Sequence, residues 1–169
     1  MKFMRINGLQ VETGISVLAA IAGFSTWMNP PAIAQLAQNR PLTIFENVTL
    51  SPNFAPTTVR GISGGTALAS EIAGRQDTAT GPCVGFVDRE PDHQMVLTEF
   101  FDYLSLRVQS TEDTTLVVRG PGGSWCNDDY DGFNPGIAGQ WFSGTYEIWV
   151  GSYNSDGFYP YVIQIESAP

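Results

Sequence analysis

Residues 103–120, "YLSLRVQSTEDTTLVVRG", decide the fold class. Leu104, Leu106 and Val108 fall on one side of an extended chain, and Tyr103, Ser105, Arg107 and Gln109 on the other. That two-residue period marks a half-buried strand. The polar stretch "STEDTT" (110–115) reads as a hairpin turn, after which Leu116 and Val118 oppose Val117 and Arg119. The period returns in "GTYEIWVGSY" (144–153), where Tyr146, Ile148 and Val150 share a face with Glu147 and Trp149 behind. It returns again in "FYPYVIQIE" (158–166), through Tyr159, Tyr161, Ile163 and Ile165. Pro160 has no N–H to donate, which predicts an edge or the first residues of a strand. Only "TALASEIAG" (66–74) resembles a helix. It is read as a strand, because Ala67, Ala69 and Glu71 alternate with Leu68, Ser70 and Ile72. Turn-forming clusters recur at about 8–12-residue spacing, as in sandwiches. The expected architecture is all-β: a jelly-roll-like two-sheet β-sandwich over residues 43–169, forming a single domain.

Residues 1–34 read as a cleavable signal peptide. Lys2 and Arg5 precede the apolar run "GISVLAAIAGFSTWM" (14–28), and Ala32-Ile33-Ala34 supplies the small-x-small site, placing cleavage before Gln35. The run is shorter than the ~20 residues of a membrane span, so no membrane insertion is expected after cleavage. Residues 35–42 read as a flexible lead-in. Removing 1–34 takes away Lys2, Arg5 and Glu12 and leaves six arginines, no lysine and 16 acidic residues. So acidic a surface argues against nucleic acid and anionic membranes as partners. Export, periplasmic or extracellular, brings an oxidising compartment, in which Cys83 and Cys126 are expected to form a disulfide.

The stretch "SWCNDDYDGFNPG" (124–136) crowds Asp128, Asp129 and Asp131 together. Asn127, Asp129 and Asp131 followed by Gly132 match the first half of an EF-hand loop. Position 12 would be Ala138, so the second half fails. Hard oxygen ligands on a chain turning at glycine suit Ca²⁺, which takes about six to eight of them. The expected ligands are Asp128, Asp129 and Asp131, with Asn127, Asn134 and Asp113 as additions. The competing reading is a solvated turn in which the aspartates bond their own backbone. Among the aromatics, Trp125, Tyr130, Phe133 and Tyr153 are candidates for a ligand surface, and Trp141 and Trp149 for the core. His93 reads as a strand-start histidine bonded to backbone. Carboxylate pairs such as Glu99 and Asp102 are of the kind glycoside hydrolysis uses, and no nucleophile elbow, phosphate loop or zinc motif is present.

The motifs "CVGF", "PDH", "LSLRVQS" with "DTTL", "GPGG", "CNDD" and "GTYEIWVGSY" together resemble the bacterial pre-peptidase C-terminal domain and its relatives in exported proteins, over residues 48–166. The resemblance implies a jelly-roll-like sandwich that usually serves as a non-catalytic appendage of secreted proteases. Some members bind collagen or polysaccharide, and some carry structural Ca²⁺. It places Asp113 in "DTTL" and Asn127, Asp128 and Asp129 in "CNDD". No peptidase domain precedes the module in this sequence, so a domain standing alone is expected. The combined expectation is a non-enzymatic, Ca²⁺-stabilised module recognising extracellular polysaccharide or protein. The alternatives are an assembly subunit of an envelope or extracellular complex and, in third place, a carboxylate-dependent hydrolase.

Overall fold

The computed structural model describes residues 43–167; the expected signal peptide and lead-in lie outside the described residues. The chain forms β1 (Val48–Leu50), β2 (Thr57–Ile62), β3 (Ala67–Leu68), α1 (Ala69–Ala73), β4 (Asp77–Thr78), β5 (Gly81–Pro82), β6 (Phe86–Val87), β7 (His93–Leu97), β8 (Phe101–Ser110), β9 (Thr114–Gly120), β10 (Gly123–Asn127), β11 (Gly136–Trp141), β12 (Gly144–Ser152) and β13 (Pro160–Glu166). A seven-stranded sheet contains β1, β3, β6, β7, β9, β10 and β12. A four-stranded sheet runs β11-β8-β13-β2, and β4-β5 is a small hairpin. Apart from the parallel β1–β7 pair, neighbouring strands are antiparallel.

The alternation in 103–120 does what an extended chain must do. Leu104, Leu106 and Val108 on β8 meet Leu116, Val118, Ile148 and Val150 of the facing sheet in one buried core, joined by Tyr161, Ile163 and Ile165 of β13. The expected two-sheet sandwich is therefore present. Pro160 is the first residue of β13, which is central in its sheet, so its missing N–H falls where the ladder begins.

The opposite faces of β9 and β12 are also covered. Val117 and Trp149 form a second core with Cys83, Cys126, Val87, Ala69 and Ala73. Residues 66–74 differ from the expected single strand: only Ala67–Leu68 is extended, and Ala69–Ala73 is a helix closed by Gly74 at φ 71°. The alternation of small residues that suggested a strand instead puts Ala69 and Ala73, four apart, on one helical face, where they lie against the outer side of the sheet.

Cys83 and Cys126 are disulfide-bonded, with Cα atoms 5.1 Å apart. The bond ties β10, an edge strand, to the segment after β5. By the chain-entropy account, the C83A/C126A double variant is expected to unfold with about 3–4 kcal/mol less stability in denaturant titration. An unchanged midpoint and slope would show that the link constrains nothing.

Candidate functional site

Three of the chain's passages from sheet to sheet are at β8–β9 (111–113), β10–β11 (128–135) and β12–β13 (153–159). The registers Ser152↔Thr114, Tyr161↔Ser110 and Gly136↔Arg107 put all three crossovers at one end of the sandwich. Backbone bonds lace them together: Thr114 N–H donates to Phe133 O, and Tyr153 N–H donates to Asp113 O.

The aspartate loop is shaped by its asparagines. Asn127 donates from Nδ2 to Thr80 O (2.9 Å) and accepts at Oδ1 from Gly136 N–H (2.9 Å). Asn134 accepts at Oδ1 from Ser110 N–H (2.8 Å). Between them, Asp131 and Asn134 exchange backbone bonds around Gly132, whose φ of 63° favours glycine. Both asparagines expected as metal ligands thus hold the loop to its neighbours.

The carboxylates divide. Burial raises the pKa of Asp113, and the charges of Asp129 and Asp128 raise it further. Burial also raises that of Asp128, with Asp129 adding to it while its own backbone N–H opposes. Asp113, Asp128 and Asp129 therefore share one electrostatic neighbourhood. Asp131 instead lines a cleft with Arg107, Gln109, Tyr130 and Gln164. Among the described residues no three His, Cys, Asp or Glu side chains converge closely enough to hold a metal ion. The six expected ligands do not form one shell as placed, and Asp113, Asp128 and Asp129 are neighbours without converging on one point.

Of the aromatic candidates, Tyr130, Phe133 and Tyr153 stand at the crossover end, 48, 67 and 50 % exposed, beside Phe158 at 60 %. Trp125 lies elsewhere. It is partly buried on β10, with Trp141 and Tyr146 at ring-centroid distances of 6.2 and 6.3 Å. Trp141 and Trp149 are core residues, as expected. Glu99 and Asp102 sit around the start of β8, at the opposite end from the aspartates.

His93 opens β7 and is fully enclosed. A backbone carbonyl can only accept, so Nδ1–H donates to Glu46 O (2.7 Å), leaving Nε2 to accept from the Tyr161 hydroxyl (2.8 Å). Burial lowers its pKa, against the carbonyl's pull. With both nitrogens engaged it is a structural histidine.

Sequence reasoning missed Asp92. Its Oδ2 accepts from Val150 N–H at 2.7 Å, and its own N–H donates to Ile148 O. On that edge of β12, β7 ends its pairing at Ile148↔His93 and β6 begins at Ser152↔Phe86. The carboxylate fills the gap in the ladder. Burial pushes its pKa up to about 7 despite the Val150 bond, and Asp88 adds to the rise. Only its place in "PDH" hinted at a role, since nothing in a sequence tells a buried acid from an exposed one.

No family model matches the chain. It is 29% identical over 85 residues to an uncharacterised protein of Synechococcus elongatus, a match covering 48% of this chain and 63% of that protein's length. In structure it is similar to the pre-peptidase C-terminal domain of collagenase from Bacillus anthracis, with a TM-score of 0.44 at 13% identity, covering 76% of this chain and 99% of that one.

Two outcomes follow from the site's geometry. Asn127→Ala strands Gly136 N–H and Thr80 O, so stability is expected to fall by about 1–3 kcal/mol. The fall is equal in Ca²⁺ and in chelator, because the side chain is a clamp; a fall seen only with Ca²⁺ would make Asn127 a ligand. Asp92 holds its proton more tightly folded than unfolded, where it titrates near 3.8. Its folded state is therefore favoured at low pH and loses stability as pH rises from about 4 to about 7. Asp92→Asn keeps an acceptor for Val150 and cannot ionise. The variant's melting temperature should gain on the parent's across that window and hold a constant lead above it. A lead that does not vary with pH would remove the buried charge as its cause.

Proposed function

We propose that this chain is an exported, non-catalytic module that binds an extracellular polysaccharide or protein with the crossover end of its sandwich. The observation that carries this reading is that Tyr130, Phe133, Tyr153 and Phe158, each about half exposed or more, lie on the same set of crossover segments as Asp113, Asp128 and Asp129. Loops fixed on a rigid scaffold are where binding residues concentrate. Exposed aromatic rings offer contact area at small entropic cost. Here two asparagine clamps and inter-loop backbone bonds have already ordered the segments. The disulfide suits an oxidising compartment, periplasmic or extracellular. His93, with both nitrogens committed, supports a role in binding over one in catalysis.

Calcium belongs to this proposal in a reduced form. Asp113, Asp128 and Asp129 would have to close in around the ion, which would supply positive charge where neighbouring carboxylates raise the cost of ionising Asp113 and Asp128.

Retention of the exported chain on immobilised polysaccharide or matrix protein tests the reading. Phe133→Ala and Tyr153→Ala should each weaken retention by about tenfold, the loss of one aromatic anchor. Co-purification with a stoichiometric partner, without retention, would replace it with an assembly subunit. For the ion, Ca²⁺ should raise the melting temperature and EDTA lower it, the bound ion adding about 2.7 kcal/mol of stability at a hundredfold excess over Kd. Asp129→Asn should abolish the difference. Superimposable curves for the parent protein would strike calcium from the proposal.

A further inference from the structure

Beside the crossover end, on the outer face of the four-stranded sheet, lies a polar cleft of about 610 Å³. That lies within the ~300–1,000 Å³ typical of small-molecule sites. We propose that it binds an uncharged hexose unit of a glycan. The inference rests on the binding reading above and deepens it.

Three observations carry it. The first is the chemistry of the lining. Gln109 and Gln164 offer amides that both donate and accept, Arg107 only donates, and the Asp131 carboxylate accepts. Vicinal hydroxyls, which donate and accept at once, can use all four.

The second is charge. The ion pair found among the described residues is Arg119–Glu147, and neither Arg107 nor Asp131 forms one there. The cleft thus holds one positive and one negative group, both unneutralised by partners. An anionic sugar would meet Asp131 and a cationic peptide would meet Arg107, whereas a neutral polyol is opposed by neither. Unlike the acidic trio, this cleft has no excess of one sign.

The third is the fixed position of Tyr130. Gly136 pairs with Arg107 across β11 and β8. A Cβ at Gly136 would come within 2.8 Å of the Tyr130 ring, so the ring lies on that glycine. The Arg107 guanidinium sits 5.3 Å from the ring centroid. Tyr130 N–H also donates to Asn134 O, inside the clamped loop. The ring is held on one side and still 48 % exposed, a ready surface for the apolar C–H face of a sugar.

The test is ¹⁵N-detected titration of the exported chain with soluble cellohexaose, maltohexaose and laminarihexaose. An oligogalacturonate and a basic peptide serve as charged competitors. At least one neutral glycan should shift the resonances of Arg107, Gln109, Tyr130, Asp131 and Gln164 together. Gln164→Ala, on the outward-facing, half-buried side of β13, and Tyr130→Ala should each weaken that binding at least about tenfold. Phe142→Ala, at the far end, should leave it unchanged. Shifts only for the oligogalacturonate or the peptide would overturn the proposal, as would no shift with any glycan at millimolar concentration. Neutral-glycan binding that depends on Phe133 and Tyr153 but survives Gln164→Ala would overturn the cleft while leaving the binding module intact.

Discussion

The pairing of β9 with β12 is the constraint on which the rest hangs. Both strands are buried on both faces. Leu116, Val118, Ile148 and Val150 enter the inter-sheet core, while Val117 and Trp149 enter the cluster around the disulfide. In a pleated strand a slip of one residue exchanges those sets wholesale. Trp149 would then turn into the space that Ile148 and Val150 fill, and the small residues of α1 would lose their partner. The Arg119 guanidinium lies 5.2 Å above the Trp149 ring and bonds Glu147 at 3.0 Å, which ties the pair at its solvent edge. With the register pinned, Thr114 and Ser152 fall side by side, and the crossovers on either side of them must share one end.

Asp92 shows how the same strand solves a second problem. β12 is longer than either neighbour on its far edge, so one amide between β7 and β6 would be stranded in a buried place. An unpaired buried N–H costs about 1–3 kcal/mol. A carboxylate at the right spot removes that cost and brings one of its own, seen as a pKa near neutrality. Tyr161 is affected in turn, its hydroxyl held above the ordinary range first by burial and then by the Asp92 charge.

What was legible in the sequence was what depends on period. The inward rows of β8, β9, β12 and β13 came straight from alternation, because only a strand puts i, i+2 and i+4 on one side. The disulfide followed from compartment and cysteine count. The helix at Ala69–Ala73 was not legible, since a run of five residues alternates as readily as it turns and tertiary contact decided between them. Asp92 and the Arg107–Tyr130 cleft were invisible for another reason. Each is made by residues far apart in the chain, joined only once the sheets have formed. The aspartate loop lay between these cases. Its sharp turn at Gly132 was readable, but which oxygens point inward and which bind backbone was not.

That last ambiguity resolves into a division of labour set by side-chain chemistry. Asn127 donates with one atom and accepts with another, which an ionised aspartate cannot do. A carboxylate there would leave Thr80 O without its donor and add charge beside Asp128 and Asp129. The loop's shape is thus set by neutral amides, and closing it asks nothing of the three acids. They remain neighbours although Asp129 raises the pKa of both Asp113 and Asp128, an arrangement a folding requirement alone does not explain. The same separation holds across the sheet edge, where Asn134 anchors the loop while Asp131, three residues earlier, is left facing the cleft. Neutral residues build this end of the sandwich, and the charged and aromatic ones are left available to whatever meets it.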